Sequence, residues 1–547
     1  MSGAAPSPAS VRPASDGGPA AGPDTIRRIV TDPPAAGSIS VARLDGTRTI
    51  PLRELYERSG RLAHHLRDAH GIGPGDRIGI LAANSLEWVL LDLAALRLGA
   101  QTAGLEPGKF TPSAELLDRY DLRLLYTDRP AGEVAGETGD ETGDRPAAGS
   151  APWPPGVLGT GAILDLTEPD GSPDRPLPPV HWGFRDVTTI KFTSGSTGVP
   201  KGLGATAGSI DSSLTAVQEI FAHGPGDDLF VFLPLSLLQQ RYWVYSALLH
   251  GHDVTLTTYE AAFATLRRVR PTVVMGVPAF YESARRQIEG RLRRSAGQDP
   301  RQVARALFGD RIRYLWTGSA PASPAVLRFF TDVGLPLFEG YGLNETCIVT
   351  KNHPGAHREG SVGRVVSGKE VLIGEDGVIS VRSTHPVNNH YAYARPGDSE
   401  KVFDADGTVR TGDLGRLDED GFLFVRGRAD DVIVLDNGKK VIVRPIEELM
   451  RADPAVAECV LFSPTQTDLV AVVSPAELPA DRAAIAARLA AVNAATGADE
   501  RISRVLVADP PFSIDNGLLT SQYKPKRPAI AAAHHIPLHD QEAGIHA

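Results

Sequence analysis

The chain has 547 residues, 42% hydrophobic and 22% charged, with a net charge of −10. That length allows a large core divided between at least two domains, and the acidic balance excludes a general nucleic-acid binder, which carries a basic excess. Two cysteines, Cys347 and Cys459, rule out a disulfide framework and suit a reducing cytoplasm, and no apolar run reaches membrane-spanning length.

Residues 1–24 are rich in Ala, Pro, Ser and Gly without the order of a signal peptide, and read as a disordered tail. Order is expected from Thr25. RIGILAAN (77–84) reads as a buried strand, and SLEWVLLDLAALRLGA (85–100) as a helix apolar enough on every side for deep burial. LRLLYTD (122–128) is a further strand. Residues 129–158 turn to Gly, Pro, Ala, Glu and Asp and predict a flexible, solvated insertion, its acidic run at 133–144 included. From Thr188 to about Leu337 strands and helices alternate: LFVFLPL, the helix RYWVYSALLHG, DVTLT, PTVVMGV and RYLWTGS. That alternation implies an α/β core with mainly parallel strands. After Gly360 the texture becomes short strands with Asp-Gly turns, hairpin or barrel material. A small α+β module follows, with a helix near 482–495; the joint is placed at GRADD, 427–431. The expected division is an N-terminal unit over 25–429 and a C-terminal unit over 430–547.

The strongest local signal is TTIKFTSGSTGVPKG (188–202). A β-branched strand runs into Thr193, Ser194, Gly195, Ser196, Thr197, Gly198 and, after two further residues, Lys201. Small residues turn backbone N–H groups toward an anion, hydroxyls add donors, and the lysine adds charge, which makes a phosphate cradle. It is not a Walker A loop: Pro200 stands where the second Gly belongs, and Gly202 where Ser or Thr is needed. A Ser/Gly-rich surface turn is the plainer alternative.

Other segments join this loop in order, and together they resemble the superfamily of acyl-CoA synthetases, luciferases and peptide-synthetase adenylation domains. Thr317 with Gly318, Ser319, Ala320 and Pro321 resembles the strand end lining that family's adenine pocket. The run from Glu339 through Gly340, Tyr341, Gly342, Asn344 and Glu345 to Thr346 resembles its EGYGLTET motif. By that likeness Tyr341 stacks on adenine and Glu345, with Thr193, holds Mg²⁺. Asp413 of Thr411-Gly412-Asp413 and Arg428 match the ribose-binding pair, Asp430 the hinge of the small domain, and Lys524 the mobile lysine of adenylation, with Lys526 as the alternative. Gly438 and its neighbours Lys439 and Lys440 resemble the hairpin that lines the CoA tunnel after the small domain rotates. GDRIGILAANSLEWVLLDLA and REGSVGR are similar to the long-chain branch, and acyl-CoA ligases of actinobacterial diterpenoid-antibiotic pathways of the platensimycin type are similar as well.

The resemblance implies an α/β N-terminal domain of two subdomains plus a distorted β-barrel, with a small mobile α+β C-terminal domain. It implies a cytoplasmic ligase that uses ATP, Mg²⁺ and coenzyme A, free of nucleic acid and of a stable membrane span, with a homodimer open. Carboxylate attack on the α-phosphorus develops charge that a metal and fixed cations must neutralise, which is the reason for these residue types.

Departures from the pattern matter. Asn344 replaces the Thr that contacts the α-phosphate, Leu237 and Gln240 replace a His and a Glu in LPLSLLQQR (233–241), Thr206-Ala207 replaces Thr-His, and Pro525 restricts the backbone at Lys524. Leu237, with Trp243 and Phe280, is expected to line an acyl pocket enlarged for a bulky apolar acid. The same departures keep open a thioesterification-only enzyme that takes preformed acyl-adenylate, an enzyme serving a carrier-protein thiol, and a nucleotide-binding protein without turnover. His534, His535 and His539 read as a frayed tail, His353 and His357 lack helical metal spacing across Pro354-Gly355, and Cys347 reads as a small packed residue without a His or Lys partner.

Overall fold

The computed structural model describes residues 24–131, 153–168, 175–193, 200–294, 297–520 and 523–537. The expectations for the N-terminal tail, the acidic run of the insertion, Ser194 to Gly198 and His539 therefore fall outside the described residues.

Two sheets dominate the large unit. One has six strands in the order Val157–Gly159, Leu124–Thr127, Arg77–Leu81, Gln101–Gly104, Val187–Thr193 and Lys201–Thr206, parallel except for the last pair. The other has nine, with parallel Leu337–Leu343, Tyr314–Thr317, Val273–Gly276, Asp228–Val231, Asp253–Leu256 and Ser38–Ala42 at its centre and antiparallel strands at both ends. The expected insertion over 129–158 is corrected at its end: Val157 pairs with Leu125 and is 2% exposed, so 157–158 belong to the sheet because their apolar side chains complete its buried face.

The helix Leu86–Leu98 explains its own continuous apolar run. Ser85 caps it by accepting from Trp88 N (3.2 Å), and Gly99, at φ 71°, ends it in the left-handed conformation. Both of its faces are covered, so Leu90 and Leu91 are fully buried and contribute about 1.5–3 kcal/mol each. One polar residue, Asp92, is buried with them, and it is matched. Arg241 of the helix Leu238–His250 reaches it (3.2 Å), Thr102 Oγ1 (2.8 Å) and Tyr245 Oη (2.5 Å) donate to it, and Arg241 also donates to Thr189 Oγ1 (2.8 Å). This network clamps the strand that leads into the phosphate-loop segment.

The Asp-Gly segments form a four-stranded antiparallel meander: Lys369–Ile373, Val378–Ser383, Val409–Leu417 and Leu423–Arg428. An isolated bridge from Phe422 to Arg364 joins it to the edge of the nine-stranded sheet. Its register places Asp413 directly opposite Arg428.

The chain then forms a hairpin (Val432–Val434 and Lys440–Ile442), the helix Val443–Arg451 and a three-stranded sheet (Val456–Phe462, Leu469–Pro475, Ile502–Val507) backed by Arg482–Ala495. These elements carry cores of their own, centred on Met450, Leu461 and Val473 and on Val460, Phe512 and Ile530. Beyond Pro511 the chain folds back on the large unit, where the rings of Tyr523 and Tyr259 lie 5.1 Å apart. No helix among the described residues is long and apolar enough to cross a membrane.

Candidate active site

A cleft of about 640 Å³ opens between the two units. Its large-unit wall holds Ser319, Ala320, Pro321, Gly340, Tyr341 and Gly342, with Asp413 and Arg428 beside them; its small-unit wall holds Arg444, Arg527 and Lys524. Thr317 itself is fully buried behind that wall and Gly318 opens on the neighbouring chamber. The ends of the parallel strands Tyr314–Thr317 and Leu337–Leu343 deliver Ser319 to Pro321 and Gly340 to Gly342, which is where α/β sheets bind ligands, and the antiparallel meander brings Asp413 and Arg428 beside them.

Asp413 is the polar hub. Tyr341 Oη donates to one oxygen (2.6 Å) and Arg428 Nη1 to the other (3.3 Å), while Arg428 also reaches the Thr411 carbonyl (2.8 Å). Gly412, at φ 72°, makes room for that guanidinium: a Cβ there would stand 2.9 Å from Arg428 Nη2. Burial and the adjacent Asp413 carboxylate raise the Tyr341 hydroxyl pKa, so it stays protonated as the donor. Asp430 accepts from Arg428 Nε (3.0 Å), and Asp431 pairs with Arg527 (3.0 Å), so the joint is held by ion pairs from both sides. Glu339 lines the same cleft. Burial pushes its carboxyl up to about 7, opposed by the bond it accepts from Ala322 N (2.9 Å).

Lys524 reaches this cleft on a tight turn in which Lys524 N donates to Thr520 Oγ1 (3.1 Å) and Thr520 N to the Lys524 carbonyl (2.8 Å). Lys524 is exposed to the solvent of the cleft, with protein of both units around it. Partial loss of hydration there lowers its pKa, Asp413 opposing and Arg428 reinforcing the shift. The alternative, Lys526, stands outside the cleft at the N-cap of Arg527–Ala533. Gly438 and Lys440 also stand outside it: both are exposed on the hairpin, whose Lys439 pairs with Asp499 (2.9 Å), so the expected tunnel lining is not assembled in this arrangement of the units.

The phosphate-side residues sit just past Leu343, the last hairpin residue on the cleft wall. Asn344 is exposed at the turn, and Glu345 Oε1 accepts from Tyr391 Oη (2.7 Å). Among the described residues the other Glu345 oxygen has no hydrogen bond, and with the Thr193 hydroxyl it offers the hard oxygen donors magnesium takes; the chain supplies few ligands, as suits a metal held largely by phosphate oxygens and water. Lys201, across the ladder from Thr193, pairs with Asp398 (2.9 Å). Sequence reasoning missed the support beneath this turn. Lys191 Nζ donates to the Asn344 carbonyl and stands 3.9 Å from Cys347 Sγ, and Lys369 Nζ donates to the Thr346 carbonyl (2.9 Å). Cys347 is packed as expected, 1% exposed, but it does have lysine and Tyr242 neighbours. The visible signal was a lysine inside the apolar strand TTIKFT.

An apolar chamber shares the wall Ser319, Gly340, Tyr341 and Gly342 with the cleft. Its sides are Leu214, Val217, Trp243, Met275, Trp316 and Ile348, which leave about 50 Å³ free. Trp243 lines it as expected; Leu237 and Phe280 do not. Phe280 is fully buried on the other side of the nine-stranded sheet, 4.4 Å from Phe232 and 4.6 Å from Phe263 between ring centroids, and Leu237 packs on that same core. Side-chain direction along a helix decides this, and Leu237 precedes the first turn whose later residues face the chamber.

Comparison with known proteins gives the family and the fold. Residues 31–381 match the AMP-binding enzyme family, and residues 430–514 match the C-terminal domain of AMP-binding enzymes. The long-chain-fatty-acid–CoA ligase FadD15 of Mycobacterium bovis is 28% identical over 84% of this chain and 87% of its own. The 3-hydroxybenzoate–CoA/4-hydroxybenzoate–CoA ligase of Thauera aromatica is 28% identical over 78% and 81%. ATP-bound MatB from Rhodopseudomonas palustris superposes with a TM-score of 0.75 at 22% identity, covering 94% of this chain and 99% of MatB, a likeness of fold.

Proposed function

This chain belongs to the AMP-binding enzyme family, and on that footing we propose that it activates an apolar carboxylic acid as its acyl-AMP and passes the acyl group to coenzyme A. It is an AMP-forming ligase of the acyl-CoA synthetase type, using ATP, Mg²⁺ and CoA. The observation that carries the reading is a pair of adjoining spaces. Tyr341, Asp413, Arg428 and Lys524 meet in a cleft that shares a wall with an apolar chamber.

In the first step a carboxylate oxygen forms a bond to the α-phosphorus and pyrophosphate leaves. Asp413 and Arg428 orient the ribose, the backbone of 319–321 and the Tyr341 ring flank the base, and the Lys524 ammonium offsets charge on the carboxylate and phosphate oxygens. A long flexible stem suits a lysine to that contact. Glu345 and Thr193 would hold Mg²⁺, which supplies further neutralisation of phosphate charge. In the second step the CoA sulfur bonds to the acyl carbon and AMP leaves. A swing of the small unit about Asp430 withdraws Lys524 and brings Gly438 and Lys440 to the cleft.

The acid is proposed to be bulky as well as apolar, with Trp243 and Met275 moving to admit it. The relatives named above act on different acids, so the chemistry transfers and the acyl group does not. A thioesterification-only enzyme is the second reading, favoured by Asn344 at the exposed turn. ATP–pyrophosphate exchange with fatty, aromatic and polycyclic terpenoid acids, run beside CoA-ester formation from synthetic acyl-AMP, separates the two. Exchange supports the full ligase. Ester formation without exchange supports the second reading, and gain of exchange on Asn344→Thr would then locate the block. Absence of both refutes an acyl-CoA ligase.

A further inference from the structure

Besides its apolar sides the chamber is lined by Ser213, Gln239, Tyr242 and Ser246. Ser213 Oγ donates to the Ser209 carbonyl (2.8 Å), Tyr242 Oη lies 3.1 Å from Cys347 Sγ, and at the Ser246 end the residues behind determine the hydrogen-bonding sense. Ser246 of the helix Leu238–His250 lines the chamber and is 4% exposed. Behind it, the fully buried His252 ring places Nδ1 2.9 Å from the Asp253 carbonyl oxygen and Nε2 2.9 Å from Ser246 Oγ.

A carbonyl oxygen can only accept, so Nδ1 carries the ring hydrogen. Burial pushes the His252 pKa down to about 4, and the ring is neutral at ordinary pH. Nε2 is then a bare lone pair, and the single Ser246 hydroxyl hydrogen is committed to it. What Ser246 turns toward the chamber is an oxygen that accepts and does not donate. Among the described residues it has no other hydrogen-bond partner. His223 closes this end from the rear. Its ring is 5.7 Å from both His252 and Trp243, Nε2 is 2.6 Å from Tyr314 Oη, and burial holds it neutral as well.

We propose that the acyl group this chamber accepts carries a hydrogen-bond donor, a hydroxyl or amino group set on an apolar body, that donates to Ser246 Oγ, with His252 as the positioning residue that makes Ser246 an acceptor. This rests on reading the chamber as the acyl site. A plain hydrocarbon leaves the Ser246 oxygen buried without a donor, and an acceptor-only group such as methoxy sets lone pair against lone pair. Discrimination therefore runs in the order hydroxy or amino, then hydrogen, then methoxy.

Titration calorimetry of the full-length protein with free acids tests this in two matched series. One is benzoate with its 3- and 4-hydroxy, amino and methoxy derivatives, the other decanoate with 10-hydroxydecanoate. At least one donor-bearing acid should bind about tenfold more tightly than its hydrocarbon and methoxy counterparts. Ser246→Ala should shrink that preference to within about twofold, and Ser246→Thr, which keeps the hydroxyl, should retain it. Thermal unfolding of each variant separates lost fold from lost preference. Equal binding within both series, a preference that survives Ser246→Ala in a folded protein, or failure of every donor-bearing acid to bind would overturn the proposal. Pyrophosphate exchange with the same acids reads the ligase chemistry separately. Exchange without preference removes the Ser246 assignment and leaves the ligase; preference in binding without exchange leaves the assignment and removes adenylation.

Discussion

Replacing Asp92 by Ala should destabilise the large unit by about 3–5 kcal/mol, the usual consequence of leaving one charge of a buried pair uncompensated. Arg241 is 1% exposed, and its Nε and Nη2 already lack partners, so it cannot recruit water or turn to another carboxylate. Tyr245 would lose the acceptor 2.5 Å from its hydroxyl, a further penalty of about 1–3 kcal/mol. The two do not simply add, because one carboxylate serves both. A double variant, Asp92→Leu with Arg241→Met, removes both charges at similar volume and should recover about 2 kcal/mol or more relative to the single variant. Denaturant unfolding followed by circular dichroism gives the stabilities, and pyrophosphate exchange reports the strand Val187–Thr193, which Arg241 holds through Thr189. If Asp92→Ala falls within about 1 kcal/mol of the parent, or the double variant is no better than the single one, the account of this pair as a matched buried charge is wrong.

Lys524→Met should lower exchange by about a hundredfold or more while ester formation from acyl-AMP and CoA changes little; equal loss in both assays would deny the lysine a role confined to adenylation. Lys191→Met removes the donor to the Asn344 carbonyl and should lower the exchange kcat about tenfold with the KM for ATP retained. Gly412→Ala would press a Cβ against Arg428 Nη2 at 2.9 Å in a left-handed conformation, so AMP affinity, read by calorimetry, should fall about tenfold. For Glu339 the sign follows from its raised pKa. The native state holds this proton up to about pH 7, the unfolded chain only to its ordinary value near 4.5, so the protein loses stability as pH rises through that window and the loss is complete above it. Glu339→Gln should therefore gain on the parent from pH 4.5 to 7, by up to about 3 kcal/mol, in paired unfolding curves at the two pH values.

Much of the candidate cleft was legible along the chain because its parts are backbone devices. Strand ends, glycine turns and a carboxylate set opposite an arginine are each built from residues close in sequence, and the register that faces Asp413 with Arg428 follows from a hairpin spacing. The choice of Lys524 over Lys526 rested on motif alignment, and the structure sets Lys524 in a tight turn on the cleft and Lys526 at the start of a helix outside it. Pocket walls were less legible, since they depend on which way side chains point after elements from distant segments pack. Trp243 and Leu237 are near neighbours in sequence, yet one lines the chamber and the other joins the core behind the sheet.

The amino-acid sequence by itself determined the α/β alternation and the order of the motifs that resemble the family's, because periodicity and turns are governed by short-range sterics and hydrogen bonding. Only the tertiary structure decided that Phe280 is core, that Lys191 and Lys369 support the turn carrying Asn344 and Glu345, and that Ser246 faces the chamber with its hydrogen already bound to His252. Those contacts join residues far apart in the chain, and burial alone makes them exclusive.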